Sequence, residues 1–240
     1  MERLDKLLAA TGRWSRKEAK ALLKAGRVLV DGQTPAGPEQ KIDRDRTVTV
    51  DGHPISTEEF TYLMLHKPAG VVSSTEDPRE ETVLSLLPKE LRRLGLAPVG
   101  RLDKDTEGLL LLTNDGQLAH RLLSPARHVD KVYYAETDGT LTEADRDAFR
   151  QGMTLADGTR CLPAELEPLP EPSACLVTLR EGKYHQVRRM LAARGKPVTY
   201  LKRLSMGPLT LDPALPPGAW RPLEDDEIAA LRSGCASFCQ

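Results

Sequence analysis

Apolar and polar positions change rhythm several times along the chain. Leu4, Leu7 and Leu8 recur at helical spacing, and Gly12 stops them. Ser15-Arg16-Lys17-Glu18 fits a capping box, with Ser15 as the N-cap, and Ala19, Leu22 and Leu23 give the buried stripe of a second helix closed by Gly26. Residues 28–30 and 47–50 read as strands, with an Asp31-Gly32 turn after the first. Residues 51–60 hold Asp-Gly, a proline and then polar residues, and read as a linker. Residues 62–65 resume as a buried strand, 66–70 as a turn, 71–74 as a strand and 82–87 as a short helix stopped by Pro88. Leu109-Leu110-Leu111-Leu112 predicts a strand buried on both faces, ended by Asn114-Asp115-Gly116. Beyond it the pattern predicts a helix at 117–123, a strand at 131–135, a helix at 141–152 capped by Thr142, and a strand at 174–179. A helix at 185–193 ended by Gly195, strand pieces through 209–211 and an acidic helix at 224–232 complete the reading.

Strands and helices mix without regular alternation, so the fold class is α+β with a largely antiparallel sheet. A small α/β module over 1–58 is expected to precede a larger domain over 59–240. No stretch approaches eighteen apolar residues and Met1-Glu2-Arg3-Leu4-Asp5 begins no signal peptide, so a cytoplasmic protein without a membrane partner is expected. No oligomer signal is visible, and a monomer is expected. Cys161, Cys175, Cys235 and Cys239 make no Cys-x-x-Cys pair, so free thiols and no metal site are expected. There is no P-loop.

Formal net charge is −1, but its distribution is uneven. Residues 1–30 carry eight basic against three acidic side chains, and residues 180–203 carry eight against one. Two basic patches in a nearly neutral chain suggest two contacts with a polyanion. Arg16, Lys20 and Lys24 recur every four residues and form one ridge of the second helix.

The dense polar loop before the leucine strand is the main candidate for chemistry. It reads Gly100-Arg101-Leu102-Asp103-Lys104-Asp105-Thr106-Glu107-Gly108. A rigid strand is a good carrier for a reactive loop. Two further segments stand out: Lys131-Val132-Tyr133-Tyr134, and Glu181-Gly182-Lys183-Tyr184-His185-Gln186-Val187-Arg188-Arg189-Met190. His185 and Gln186 open a helix, where capping and support are the expected roles. Arg188 and Arg189 are expected to touch phosphate rather than a base. Asp105, Thr106 and Glu107 are expected to shape the loop.

Two resemblances cover nearly the whole chain. The order helix, turn, basic helix and Gly-Arg-Val-x-Val-Asp-Gly hairpin resembles the RNA-binding module named after ribosomal protein S4. That resemblance implies RNA contact through Arg3, Arg13, Ser15, Arg16, Lys17 and Lys20. The remaining segments resemble the pseudouridine synthases, and the RsuA branch most. Gly100-Arg101-Leu102-Asp103-Lys104-Asp105-Thr106-Glu107-Gly108-Leu109-Leu110 matches the family run that carries the catalytic aspartate. His66-Lys67-Pro68-Ala69-Gly70 matches Asn-Lys-Pro-x-Gly except at its first residue, and the 181–190 segment matches the third family motif. The resemblance implies the pseudouridine synthase fold for the larger domain, with Asp103 as the catalytic carboxylate. It implies Tyr133 as the ring that stacks on the extruded base and helps move the proton off its ring carbon. Tyr134 is the alternative, since adjacent strand residues face opposite ways. It implies a basic residue at Lys183, expected to pair with Asp103. Arg101 fills the gap left in the RNA or supports the loop through a salt bridge.

The reaction so implied conserves atoms and needs no redox cofactor or energy source. Its substrate is ribosomal RNA; the RsuA branch implies bacterial 16S rRNA at the uridine numbered 516, with 23S rRNA as the alternative. Two other readings compete. One is a non-catalytic RNA-binding or ribosome-assembly protein. The other takes Asp103, Asp105 and Glu107 as a magnesium site.

Overall fold

The four leucines at 109–112 are fully buried inside a mixed sheet in the computed structural model, which describes residues 1–124 and 127–234. The chain divides into two units, residues 1–61 with 87–97, and residues 62–86 with the chain from 98 onward. Nothing in the sequence pattern singles out 87–97 as part of the first unit.

The first unit begins with α1 (Leu4–Ala10) and α2 (Arg16–Lys24). Leu4, Leu7, Leu8, Ala19, Leu22 and Leu23 form its core with the inward residues of a small sheet. The predicted capping box is present: the Ser15 hydroxyl accepts the Glu18 N–H at 3.2 Å, and the Glu18 carboxylate accepts the Ser15 N–H at 2.6 Å. Gly12 does more than break α1. A Cβ there would lie 2.9 Å from Leu94 and against the Glu90 carbonyl.

The sheet of this unit is β1 (Val28–Val30), β2 (Val48–Val50) and β3 (His53–Ile55), antiparallel throughout. The third strand corrects the linker reading of 51–60. Asp51 and Gly52 both take positive φ, 52° and 78°, which makes them the tight turn of a hairpin. Ile55 then points into the core, and Pro54 sits on an edge strand, where no ladder N–H is required.

The second unit is built on one sheet path. Its strands are β4 (Tyr62–Lys67), β5 (Glu107–Thr113), β6 (Lys131–Thr137), β7 (Glu165–Pro168), β8 (Ala174–Leu179), β9 (Val198–Met206) and β10 (Trp220–Pro222). The order is β7-β8-β6-β9-β5-β4-β10. All pairs are antiparallel except β9 with β5. The expected α+β class with a largely antiparallel sheet is therefore found. The helices are α3 (Gly116–Leu123), α4 (Glu143–Gln151), α5 (Gln186–Ala193) and α6 (Asp225–Gly234). Asp115 caps α3 by accepting the Leu118 N–H at 2.9 Å, and its other oxygen accepts the Tyr62 hydroxyl at 2.8 Å.

One smaller expectation changes. Residues 71–74 are not a strand; Val72 makes one isolated bridge to Thr82, and Ser73 is committed to the loop described below. The expected short helix is present at 83–86 as a 3-10 helix. Cys161 and Cys175 are buried free thiols, and burial pushes the Cys175 thiol up to about 11. Cys235 and Cys239 lie outside the described residues.

Candidate active site

The loop between Val99 and Glu107 is pinned from several directions. The Val99 N–H donates to the Leu111 carbonyl at 2.8 Å, and Leu102 is buried. The Ser73 hydroxyl donates to the Leu102 carbonyl at 2.8 Å and accepts the Leu102 N–H at 3.0 Å. The Gly70 N–H donates to the Lys104 carbonyl at 2.8 Å. Lys67 reaches the same stretch from the end of β4. Its ammonium is 0% exposed and donates to the carbonyls of Pro68 at 3.0 Å, Lys104 at 3.2 Å and Thr106 at 2.8 Å. Burial lowers its pKa to about 8, and the carboxylates of Asp105, Asp103 and Glu107 pull the other way. At the motif's first position His66 stands in place of asparagine. Its Nδ1 hydrogen-bonds the Leu215 carbonyl at 2.7 Å, so it does structural work.

Gly108 has a separate reason. β5 and β9 run parallel here, with Gly108 level with Arg203. A Cβ on Gly108 would sit 2.6 Å from the Arg203 amide nitrogen and closer still to its carbonyl oxygen. The glycine lets β9 close onto the end of the loop.

Asp103 projects into a cavity of about 680 Å³ together with Tyr133, Lys183 and His185. Its side chain is 30% exposed. The nearest basic side chain is not the expected one. His185 Nε2 lies 3.4 Å from Asp103 Oδ1, while Lys183 turns to Glu181 at 2.7 Å and to the Arg160 carbonyl. The competing acceptor is local: Glu181 is two residues away, and Gln186 Nε2 donates to it at 2.6 Å and holds it in place. Burial pushes the Glu181 pKa up, but hydrogen bonds from Lys183, the Leu162 N–H and Gln186 outweigh this and leave it lowered. Gln186 thus has the supporting role expected of it. His185 does not. It occupies the N-cap of α5 in left-handed backbone at φ 48°, makes no side-chain cap, and presents its ring to Asp103 with Tyr184 stacked on it at 3.8 Å. Tyr184 itself is 74% exposed at the cavity rim.

Adjacent tyrosines part as strand geometry requires. Tyr133 lines the Asp103 cavity. The Tyr134 hydroxyl donates to Glu136 at 2.9 Å, and its ring meets Tyr200 edge-on at 6.1 Å. Arg101 is exposed, lines the cavity and forms no salt bridge among the described residues, so the loop-supporting pair is not found.

Arg188 and Arg189, expected to touch phosphate, are both paired with carboxylates in the absence of RNA. Arg188 Nη2 pairs with Asp105 at 2.9 Å, and Arg189 Nη2 pairs with Asp157. Arg188 therefore ties α5 to the Asp103 loop. The three loop carboxylates also diverge: Asp103 faces His185, Asp105 takes Arg188, and Glu107 accepts the Tyr200 hydroxyl at 2.8 Å. They do not form a cation cage, and no cluster of three or more metal-ligating side chains occurs among the described residues.

Two cavity residues were given no role from the sequence, although Lys131 opens one of the segments that stood out: Lys131 and Arg203 line the same space, both buried. A cation inside an otherwise apolar strand was the available signal.

In the first unit the basic side chains converge on one buried carboxylate. Asp5 binds Arg3 at 3.0 Å and Arg16 at 3.2 Å, with Lys20 at 3.8 Å. Hydrogen bonds from Arg3 hold the Asp5 pKa down to about 2, with Arg16 adding to them against burial. Arg13 and Lys17 are exposed and form no ion pair among the described residues. Ser15 is occupied as a helix cap. No helix among the described residues is long and apolar enough to cross a membrane.

Comparison with known proteins agrees with this layout. The family described as RNA pseudouridylate synthase matches residues 61–193, and the S4 domain family matches residues 2–35. An uncharacterized RNA pseudouridine synthase of Bacillus subtilis, YtzG, is 50% identical over 95% of this chain and 98% of its own length. Ribosomal small subunit pseudouridine synthase A of Pseudomonas aeruginosa is 43% identical over 95% of this chain and 100% of its own, and the Escherichia coli protein of that name is 40% identical over 95% and 99%. A crystal structure of a pseudouridylate synthase superposes with a TM-score of 0.68 at 34% identity, covering 96% of this chain and 100% of that one. The chain belongs to the RNA pseudouridine synthase family, isomerases that turn uridine into pseudouridine, and carries an S4 domain at its N-terminus.

Proposed function

We propose that this protein converts one uridine of 16S rRNA to pseudouridine, at the position numbered 516, with Asp103 as the essential group. The observation that carries the reading is the pinned loop. It presents one half-buried carboxylate to a cavity shared with an aromatic ring and several cations. Relatives that match over nearly their full length are named for the small ribosomal subunit, which supports that substrate.

In the reaction the C1′–N1 bond breaks, the base turns, and a C1′–C5 bond forms. The C5 proton leaves and N1 gains one, so atoms balance. The Asp103 carboxylate either adds to C1′ or assists loss of the base to a glycal; both routes need it ionised beside the sugar. His185, 3.4 Å away, orients it. Tyr133 stacks on the extruded base and helps move the C5 proton. Lys183 serves from its Glu181 pair, close enough to respond to charge in the cavity. Extrusion of the base costs a few kcal/mol. Arg101 occupies the vacated place in the RNA, and the S4 domain contributes attraction through Arg13, Lys17 and the cluster of Arg3, Arg16 and Lys20, with Ser15 setting the helix start. The protein acts as a monomer in the cytoplasm, where ribosomal RNA is found, and uses no cofactor or metal.

The test is incubation with unmodified 16S and 23S fragments, without metal, followed by carbodiimide-blocked primer extension. A single stop in 16S RNA, missing with Asp103→Asn, is the expected result. A stop in 23S RNA alone refutes the substrate, and an unchanged stop with Asp103→Asn refutes the mechanism.

A further inference from the structure

Two cations sit in the Asp103 cavity without a counter-ion. Arg203 is 1% exposed and Lys131 8%. Arg203 stands level with Tyr133 across the β6–β9 pair, and Lys131 lies two residues before Tyr133, on the same face of β6. Arg203 Nε donates to the Leu109 carbonyl at 2.8 Å, while its Nη2 is buried with no hydrogen-bond partner. Lys131 Nζ donates to the Val129 carbonyl at 3.1 Å and has further N–H groups to give. Neither makes a salt bridge among the described residues. Asp130 attracts Lys131, but its carboxylate already accepts from Arg180 at 2.8 Å. Burial lowers the Lys131 pKa, and repulsion from Arg203 lowers it further.

Buried charges are ordinarily paired, because an uncompensated one is expensive to hold. Two of like sign, side by side, with an unused guanidinium N–H, describe a site waiting for an anion. We propose that Lys131 and Arg203 form an anion subsite that takes a backbone phosphate of the target nucleotide and so fixes its sugar against Asp103. The inference rests on the pseudouridine synthase reading of the cavity and extends it to two residues with no role there so far. A phosphate fits better than the base. Uracil is neutral before the reaction, whereas a phosphodiester brings a full negative charge and accepts charge-assisted hydrogen bonds from both. The cavity, about 680 Å³, lies within the range of small-ligand sites. The burial of both cations also separates them from the surface basic patches, whose attraction salt screens.

The experiment uses the full-length protein and measures how 5′-UMP, 3′-UMP, uridine and inorganic phosphate inhibit turnover of the RNA substrate. It compares wild type, Lys131→Met, Arg203→Met and Arg203→Lys, with urea midpoints run in parallel. In the wild type one UMP isomer is expected to inhibit about ten-fold more tightly than uridine, as a charge-assisted contact implies. Which isomer does so identifies the phosphate as the 5′ or the 3′ one. Lys131→Met and Arg203→Met are expected to erase that preference and leave uridine inhibition unchanged, with Arg203→Lys keeping part of it. If Arg203→Met does not fold, the Lys131→Met and Arg203→Lys pair decides. Equal inhibition by UMP and uridine in an active wild type overturns the subsite. So does a preference that survives Lys131→Met, or a loss of uridine inhibition equal to the loss for UMP, which would put the two cations on the base. A wild type with no turnover on any RNA overturns the isomerase reading instead.

Discussion

Replacing Lys67 by methionine removes a buried cation and keeps most of its volume. Three carbonyls, those of Pro68, Lys104 and Thr106, lose an N–H partner, and that of Lys104 keeps another, from Gly70. Hydrogen bonds from a charged donor contribute roughly 1.5–3 kcal/mol each. Against them stands burial of the ammonium, expressed in a pKa lowered from 10.5 to about 8, a difference of about 3 kcal/mol. The three bonds, roughly 4.5–9 kcal/mol together, outweigh that cost, so Lys67→Met is expected to destabilise the protein by about 1–6 kcal/mol. Catalysis should suffer as well. Lys104 follows Asp103 directly and Thr106 lies three residues on, so the clamp fixes the backbone beside the carboxylate, and a misplacement of about 1 Å can cost about 100-fold in rate. The sign of the pH effect separates the two consequences. The folded pKa lies below the unfolded one, so between about 8 and 10.5 the unfolded chain binds more protons, and this group's contribution to stability rises with pH. Its penalty is fully present below 8. Activity should move the other way, because a neutral amine has two N–H groups for three carbonyls. Single-turnover pseudouridine formation from pH 7 to 9 should fall above pH 8 in the wild type while the urea midpoint gains on that of Lys67→Met. The variant should be slow at every pH and lack that limb. A limb of equal size in Lys67→Met would refute the clamp.

Gly108→Ala puts a methyl group 2.6 Å from the Arg203 amide at φ 108°, and is expected to lower stability by more than about 4 kcal/mol, seen as lost soluble expression or a collapsed urea midpoint; near-normal stability would mean β9 does not lie against the glycine. Arg188→Met breaks the 2.9 Å pair with Asp105, so turnover should drop while the slope of log affinity against log salt for RNA stays the same; a slope reduced by about one would restore Arg188 as a phosphate contact. Asp5→Asn removes the carboxylate that gathers Arg3, Arg16 and Lys20. Its folded pKa is depressed to about 2, so the stability it contributes is complete above the ordinary carboxylate range and disappears as pH falls through 2. Urea midpoints of wild type and Asp5→Asn should therefore differ at pH 5 and converge towards pH 2; a constant gap would show that shape, not charge, makes Asp5 matter.

What the sequence reveals here is what lies within one element. Heptad-like spacing locates α1 and α2, a Ser-x-x-Glu pattern locates the cap, and four leucines locate β5, because each depends on residues a few positions apart. The misreadings share a different cause. Asp51-Gly52 looks like the start of a linker until β2 is known to need a partner on its far side. Lys183 looks like a partner for Asp103 until Glu181, two residues back, competes for it with Gln186 in support. The pairing of Arg188 with Asp105 is invisible until α5 is set beside the loop that carries Asp105. In each case the deciding neighbour is fixed by sheet pairing or local competition, which no periodicity records.

The same limit accounts for the most telling feature of the site. Asp103 is one of three carboxylates in five residues, and nothing in their spacing says which is exposed to a ligand. The surroundings decide. Arg188 takes Asp105, Tyr200 takes Glu107, and the Lys67 ammonium and the Ser73 hydroxyl fix the backbone on either side. What is left is a single carboxylate with a histidine at 3.4 Å and open space in front of it. The groups that do this come from β4, the 71–74 segment, α5 and β9, so the loop is held by strands that are remote in sequence and adjacent in the sheet. In the proposed reaction, a loop this constrained would lose little entropy when RNA arrives, leaving the binding energy of the S4 domain and the cavity for the step that needs it, pulling the base out of its stack.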